Sequence, residues 1–165
     1  MSYSFTIGNG TAVTEPDEDD PTILRTRWEV PLVELADAPC FPNDGMTGRG
    51  NARYPGYSAW HEFCLKTGIS SLFYRPDGNL KAGHPGCQRI TAECLDLVTC
   101  ALDRWRSCHV LPPGFAGFPA FDEKLNHLVC PDEGKYDPFL ARLIWLKFWM
   151  AWALDTCPNP VIKNT

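Results

Sequence analysis

Hydrophobic and polar positions in this chain first alternate and then shift to helical spacing. Tyr3, Phe5 and Ile7 alternate with small polar residues, Gly8-Asn9-Gly10 follows, and residues 11–14 resume the pattern. This predicts a β-hairpin with its turn at the glycines. From residue 22 to 30 the period is again two. Leu24, Thr26, Trp28 and Val30 share one face, and Arg25, Arg27 and Glu29 share the other. Such a pattern predicts a half-buried strand, and Pro31 sets it at or near a sheet edge. Residues 33–36 fit a short helical turn, and 39–55 read as irregular.

Helical spacing begins after Ser58, a candidate N-cap. Residues 59–67 turn Trp60, Phe63 and Cys64 inward, and Gly68 suits the position just past the helix end. Residues 69–74 form a short apolar segment, and Pro76-Asp77-Gly78-Asn79 is a turn. Thr91 caps a second helix over 92–107, where Leu95, Val98, Leu102 and Trp105 repeat at helical spacing. Arg104 and Arg106 lie near its C-terminus, where cations favour the helix dipole. Asp137-Pro138 is a cap followed by an N1 proline and opens a third helix over 138–155. Its Leu143, Ile144, Trp145, Leu146, Phe148, Trp149, Trp152 and Leu154 cover nearly every face. A helix of this kind sits at the centre of a core or makes a homo-oligomer interface.

The resulting fold is α+β: a small N-terminal antiparallel β element packed on about three principal helices, the last one Trp-rich and central. Residues 1–165 make one domain, β-rich over 1–36 and mainly helical over 57–165. The core candidates are Trp28, Trp60, Phe63, Leu95, Val98, Leu102, Trp105, Leu143, Leu146, Trp149 and Trp152.

Composition narrows the function. The chain has 165 residues, 44% of them hydrophobic, and a net charge of -5. That length supports a sizeable core, and the acidic balance argues against general nucleic-acid binding. The N-terminus lacks a basic region followed by an apolar one, and no apolar run reaches the roughly 18–20 residues of a membrane span. A cytoplasmic protein with reduced thiols, without membrane association, is the expectation. The acidic stretch 15–21 reads as a solvated connection rather than a cation site.

Three histidines precede a cysteine by three residues: His61–Cys64, His84–Cys87 and His127–Cys130. Imidazole and thiolate are the usual zinc ligands, so His61, Cys64, His84 and Cys87 form a candidate tetrahedral set. The pairs His127–Cys130 and Cys108–His109 are possible substitutes. The competing reading is structural, because CxxC knuckles are absent and Cys64 shares a face with Trp60. The cofactor expectation is therefore none, or zinc.

Residues 45–56 read GMTGRGNARYPG. Glycines let backbone N–H groups approach an anion, Arg49 and Arg53 offer bidentate donors, and a helix N-terminus follows. Tyr54, Tyr57 and Trp60 are near enough to stack on a ring, and Lys81 and His84 could complete a pocket. The alternative is a solvent loop, since neither a Walker A motif nor a dinucleotide fingerprint is present. Catalysis finds little support. Cys94, at the start of the second helix, and Cys87 near His61 are the candidate nucleophiles, but no spacing establishes a nucleophile–base pair.

The stretches RYPGYSAWHEFC, TGISSLFY, HPGC, LDRWR and ARLIWLKFWMAWAL resemble small bacterial and phage proteins of no characterised family. The resemblance implies a phage or mobile-element accessory protein that acts by binding, and it carries no cofactor or site residue. Three functions follow as expectations. The first is a non-enzymatic binding protein that captures a small anionic, nucleotide-like ligand. The second is a protein-interaction or inhibitor module, zinc-stabilised or not, whose partner is a host protein and whose contact surface is the loop 111–121 or the Trp-rich helix. The third is a Cys-dependent enzyme.

Overall fold

The computed structural model describes residues 1–39, 44, 48–109, 120–122, 127–129 and 137–165. Strands from both ends of the chain build the main sheet. β1 (Phe5–Asn9) is flanked on one side by β4 (Ala52–Arg53) and on the other by β8 (Pro160–Asn164), and β5 (Gly86–Arg89) closes the far edge beyond β8. Every pairing is antiparallel. Phe5 lies opposite Asn164, Asn9 opposite Pro160, and Gly86 opposite Asn164 from the other side. The β-rich part thus includes the last strand of the chain as well as the first, which the division at residues 36 and 57 did not anticipate.

The N-terminal hairpin expectation is corrected. The chain does not reverse at Gly8-Asn9-Gly10. It continues into β2 (Thr11–Pro16), which pairs with β3 (Leu24–Glu29) as a separate two-stranded ribbon. Gly10 serves close packing instead of a turn, since a Cβ there would come within 2.6 Å of Val161. β3 has the period-two faces read from the sequence, with Ala12 opposite Trp28, Thr14 opposite Thr26 and Pro16 opposite Leu24. It is less buried than expected, however. Within β3 only Trp28 is half-buried, and Leu24 is 66% exposed. The ribbon turn is organised by Asp17, which is buried, accepts from the Asp19 and Asp20 amides at 2.8 and 3.2 Å, and pairs with Arg25. Its carboxylate serves the chain's own backbone.

Asn51 joins the sheet to the segment after the ribbon. It is fully buried; its amide donates to the Ile7 and Pro31 carbonyls at 2.7 and 2.9 Å, and its oxygen accepts from the Val33 amide at 2.9 Å. Buried backbone groups need such partners, because an unpaired one costs roughly 1–3 kcal/mol.

Helix α1 (Tyr57–Thr67) begins at Gly56 rather than Ser58, with no side-chain cap. It ends as expected, with Gly68 in the left-handed region at φ 77°. The Gly68 amide reaches the Leu65 carbonyl and the Ile69 amide reaches that of Cys64, a Schellman closure. The short α2 (Ser70–Phe73) occupies the apolar segment that follows. Helix α3 (Ala92–Cys108) buries Val98, Ala101, Leu102 and Trp105. Its Arg104 caps a neighbour, donating to the Thr67 carbonyl at the end of α1 at 2.9 Å.

Helix α4 (Pro138–Thr156) is the centre of the core, and Trp145 and Trp149 are almost wholly buried. Its apolar faces pack on α3, β1 and β8. Ile144, Phe148 and Trp152 on this helix remain half-buried. Arg142 on α4 holds Asp44 in a two-pronged ion pair at 2.6 and 2.9 Å, with both side chains nearly buried. Of the core candidates, Trp28, Leu95 and Trp152 are half-buried, and the others are buried. The architecture is α+β with antiparallel sheets. Among the described residues, no helix is long and apolar enough to cross a membrane.

Asp137 links the two long helices. One carboxylate oxygen caps α4 through the Phe139 and Leu140 amides at 2.9 and 3.0 Å, and the other accepts from the Trp105 indole of α3 at 2.7 Å. Replacing Asp137 with Ala removes the cap and leaves the indole N–H without its acceptor. We expect a loss of about 2–3 kcal/mol in urea unfolding, and a loss of about half that for Asp137→Asn, which keeps the cap through its oxygen but turns an NH2 toward the indole N–H. An unchanged midpoint for Asp137→Ala would contradict this role.

Candidate functional site

The chain draws a compact polar row out of three distant stretches. Tyr57 opens α1, His84 sits in the turn before β5, and Asn164 ends β8. Strand pairing places Asn164 beside Gly86 and hence beside this turn. The Asn164 amide donates to the Gly83 carbonyl at 3.0 Å, which aims its oxygen at His84. His84 Nδ1 lies 2.8 Å from that oxygen, and its Nε2 lies 2.9 Å from the Tyr57 hydroxyl. The Asn164 oxygen can only accept, so His84 donates to it from Nδ1, and its Nε2 shares a hydrogen bond with the Tyr57 hydroxyl. Tyr3 leans on the row, with its ring centroid 4.3 Å from Tyr57 and 5.3 Å edge-on from His84.

These rings wall a surface cleft of about 280 Å³. Gly78, Asn79, Leu80 and Gly83 form its other side. The turn at residues 75–79 is pinned by the Gly78 amide on the Arg75 carbonyl at 3.0 Å and by the Arg75 amide on that of Asn79 at 2.8 Å. Asp77 accepts from the Asn79 amide and is held below its ordinary pKa by that bond. A second cleft, of about 390 Å³, lies beyond the same turn and takes in Lys81, Cys87, Gln88, Arg89 and Cys94. A third, of about 560 Å³, runs between α3 and α4 over Leu102, Ile144, Phe148 and Trp152.

Among the residues expected to bind an anion, only part of the set comes together. Tyr57 and His84 meet directly, and exposed Lys81 lies close by in sequence, in the next cleft. The arginine clamp does not assemble. Arg53 is buried in β4 with its guanidinium 5.8 Å from the Trp145 ring, and Arg49 donates to the Ala38 carbonyl. Neither lines these clefts. Trp60 is wholly buried among Phe5, Phe63 and Phe73 and has no face left for a ligand, while Tyr54 is partly exposed elsewhere. Gly45 and the next two residues lie outside the described residues.

The four-residue metal set is also not assembled. His61 is exposed and edge-on to Tyr74, whereas Cys64 points into the core. Three residues apart on a helix gives one side of it, but Trp60 and Phe63 draw the Cys64 side of α1 into the core and leave His61 in solvent. Both ring nitrogens of His84 are engaged by Tyr57 and Asn164. His109 stacks on Trp105 with centroids 3.7 Å apart. Among the described residues, no three His, Cys, Asp or Glu side chains converge as metal ligands would. Cys130 and most of the loop 111–121 lie outside the described residues.

The thiols have structural surroundings. Burial pushes the Cys64 thiol far up, with the Arg142 charge a smaller opposing influence. Burial likewise pushes Cys87 up to about 11, against a smaller lowering by Lys163. A nucleophile needs the opposite shift. Cys94 receives the Thr91 hydroxyl at 3.5 Å and has no described base in contact.

Sequence reasoning missed Tyr3, Asn79 and Asn164. Tyr3 carried only a strand signal, and nothing near Asn164 hints at a histidine eighty residues away. Compared with known proteins, the chain matches no family model, no curated protein and no solved structure.

The thiol environments predict a reactivity order. In native protein near pH 8, iodoacetamide should, among the thiols of the described residues, label exposed Cys100 and Cys108 first. Cys87 should react roughly 10–100-fold more slowly, gaining speed as pH approaches 11. Cys64 should react only on unfolding. Peptide mass mapping reads this order, and rapid native labelling of Cys87 or Cys64 would overturn it.

Proposed function

We propose that this protein is a non-enzymatic binding protein that captures a small nucleotide-like anion, with the ligand's ring in the cleft of Tyr3, Tyr57 and His84. The observation that carries this reading is the fixed Tyr57–His84–Asn164 row beside an open aromatic wall. The cleft of about 280 Å³ is near the lower end of small-ligand sites, enough for a ring and little more. Pre-set donors and acceptors spare the ligand an ordering cost. The Tyr57 hydroxyl, positioned by His84, offers its oxygen to a donor on the ring. Exposed Lys81, in the neighbouring cleft, is the cationic group that favours a negative substituent.

A second reading, a protein-interaction module, draws on the cleft between α3 and α4. Half-buried Phe148 and Trp152 form its floor, with Arg106 and Lys147 at its rim beside Asp37 and Asp155. Its Phe148→Glu variant should leave small-ligand binding unchanged, which separates the two readings.

Titration calorimetry with adenosine monophosphate, adenosine and inorganic phosphate tests the first reading. We expect the monophosphate to bind more tightly than either fragment. Tyr57→Ala should weaken it at least about tenfold through lost stacking, and Lys81→Ala should weaken the monophosphate but not adenosine. Absence of binding by all three at millimolar concentration, or binding indifferent to Tyr57→Ala, would overturn the proposal.

A further inference from the structure

We propose that a second copy of this chain docks edge to edge along β3, antiparallel, about a twofold axis through Arg27. The inference is independent of the small-ligand reading, because it rests on the β2–β3 ribbon at another part of the fold.

The ribbon has two strands and no third, and among the described residues neither of its outer edges is paired. An isolated two-stranded ribbon is marginal in water, and a free edge is a template for another strand. This ribbon also keeps large apolar groups in solvent: Ile23 is 52% and Leu24 66% exposed. Pro16 lacks an amide and blunts the β2 edge. β3 has no proline, so its edge offers a complete row of donors and acceptors.

The charge order selects a second copy over an unrelated strand. On the charged face, β3 runs Arg25, Arg27, Glu29. Arg25 and Glu29 stand two positions either side of Arg27. In an antiparallel pair centred there, Arg25 faces Glu29 of the partner subunit, and Glu29 faces Arg25 of the partner subunit. Arg27 then meets its own copy, but each guanidinium keeps Glu15 of its own ribbon at 3.5 Å. Glu29, 2.8 Å from Arg27 in the single chain, is shared between Arg27 and the incoming Arg25 of the partner subunit, and Arg25 also pairs with Asp17. On the other face, Thr26 meets Trp28 of the partner subunit. Each ribbon becomes one half of a four-stranded sheet with the two β3 strands inside, and the order of charges is complementary to itself.

Sedimentation velocity on the whole chain tests this, up to about 100 μM. We expect concentration-dependent dimerisation. Glu29→Arg, an exposed change, sets arginine opposite arginine twice and should weaken the dimer about tenfold or more. Arg25→Glu sets glutamate opposite glutamate and should do the same; it also takes the partner from Asp17, so its circular dichroism is compared with that of the unaltered chain. Mixing the two variants restores both opposite-charge pairs and should restore the dimer. Amide exchange is a readout that needs no variant: protection over residues 24–29 should rise with concentration. A chain that stays monomeric throughout, a dimer indifferent to Glu29→Arg, or exchange in β3 independent of concentration would each overturn the proposal. Glu29→Arg retaining its circular dichroism excludes unfolding as the cause of its loss.

Discussion

The position of β8 is the constraint on which the rest of this fold depends. A strand inside a sheet is paired along both edges, and β8 lies between β1 and β5. Its Val161 and Ile162 are buried, and its Asn164 secures the turn that carries His84. Without β8, β5 has no neighbour and β1 keeps only the two-residue β4. The helices use the same layer from the other side, since α4 packs on both β1 and β8. Sheet, core and candidate site therefore share one structural debt.

That arrangement explains why a polar row can be rigid at the surface. Tyr57 comes from a helix start, His84 from a turn and Asn164 from a strand end, so no single loop movement carries all three. Each side chain has its hydrogen-bonding direction set by the next, ending at a backbone carbonyl. A site organised in this way suits recognition, where a defined pattern of donors and acceptors matters more than a reactive group. The surroundings of the thiols fit the same picture, because burial disfavours thiolate at Cys64 and Cys87.

Local signals in the sequence were legible where one element's own chemistry decides the outcome. The helical spacing of Val98, Leu102 and Trp105, the left-handed Gly68, the Asp137 cap and the alternation through Thr26 and Trp28 all appear where the pattern set them. Signals that depend on a distant partner were not legible. Gly10 resembles a turn residue, and its real reason, Val161, lies 151 positions further on. Arg53 resembles a phosphate clamp, yet it belongs to a two-residue strand that the core covers. Cys64 and His61 have ligand spacing, but one side of α1 is buried and the other is wet. Of the candidate site, Tyr57 and His84 could be named in advance. Tyr3 and Asn164, which give the pair its wall and its orientation, could not.

The register of β1 against β8 also says something about how the chain reaches this state. Asn9 and Asn159 are bonded across 150 positions. Closing so long a loop costs more entropy than closing a short one and brings no reward until the final strand is available. Folds dominated by such distant pairings form slowly. During synthesis, α1 and α3 can coil while β1 still waits for its mate, exposing Phe5 and Ile7 in the meantime. A chain caught with its helices made and its central sheet unfilled would present that apolar surface to its neighbours.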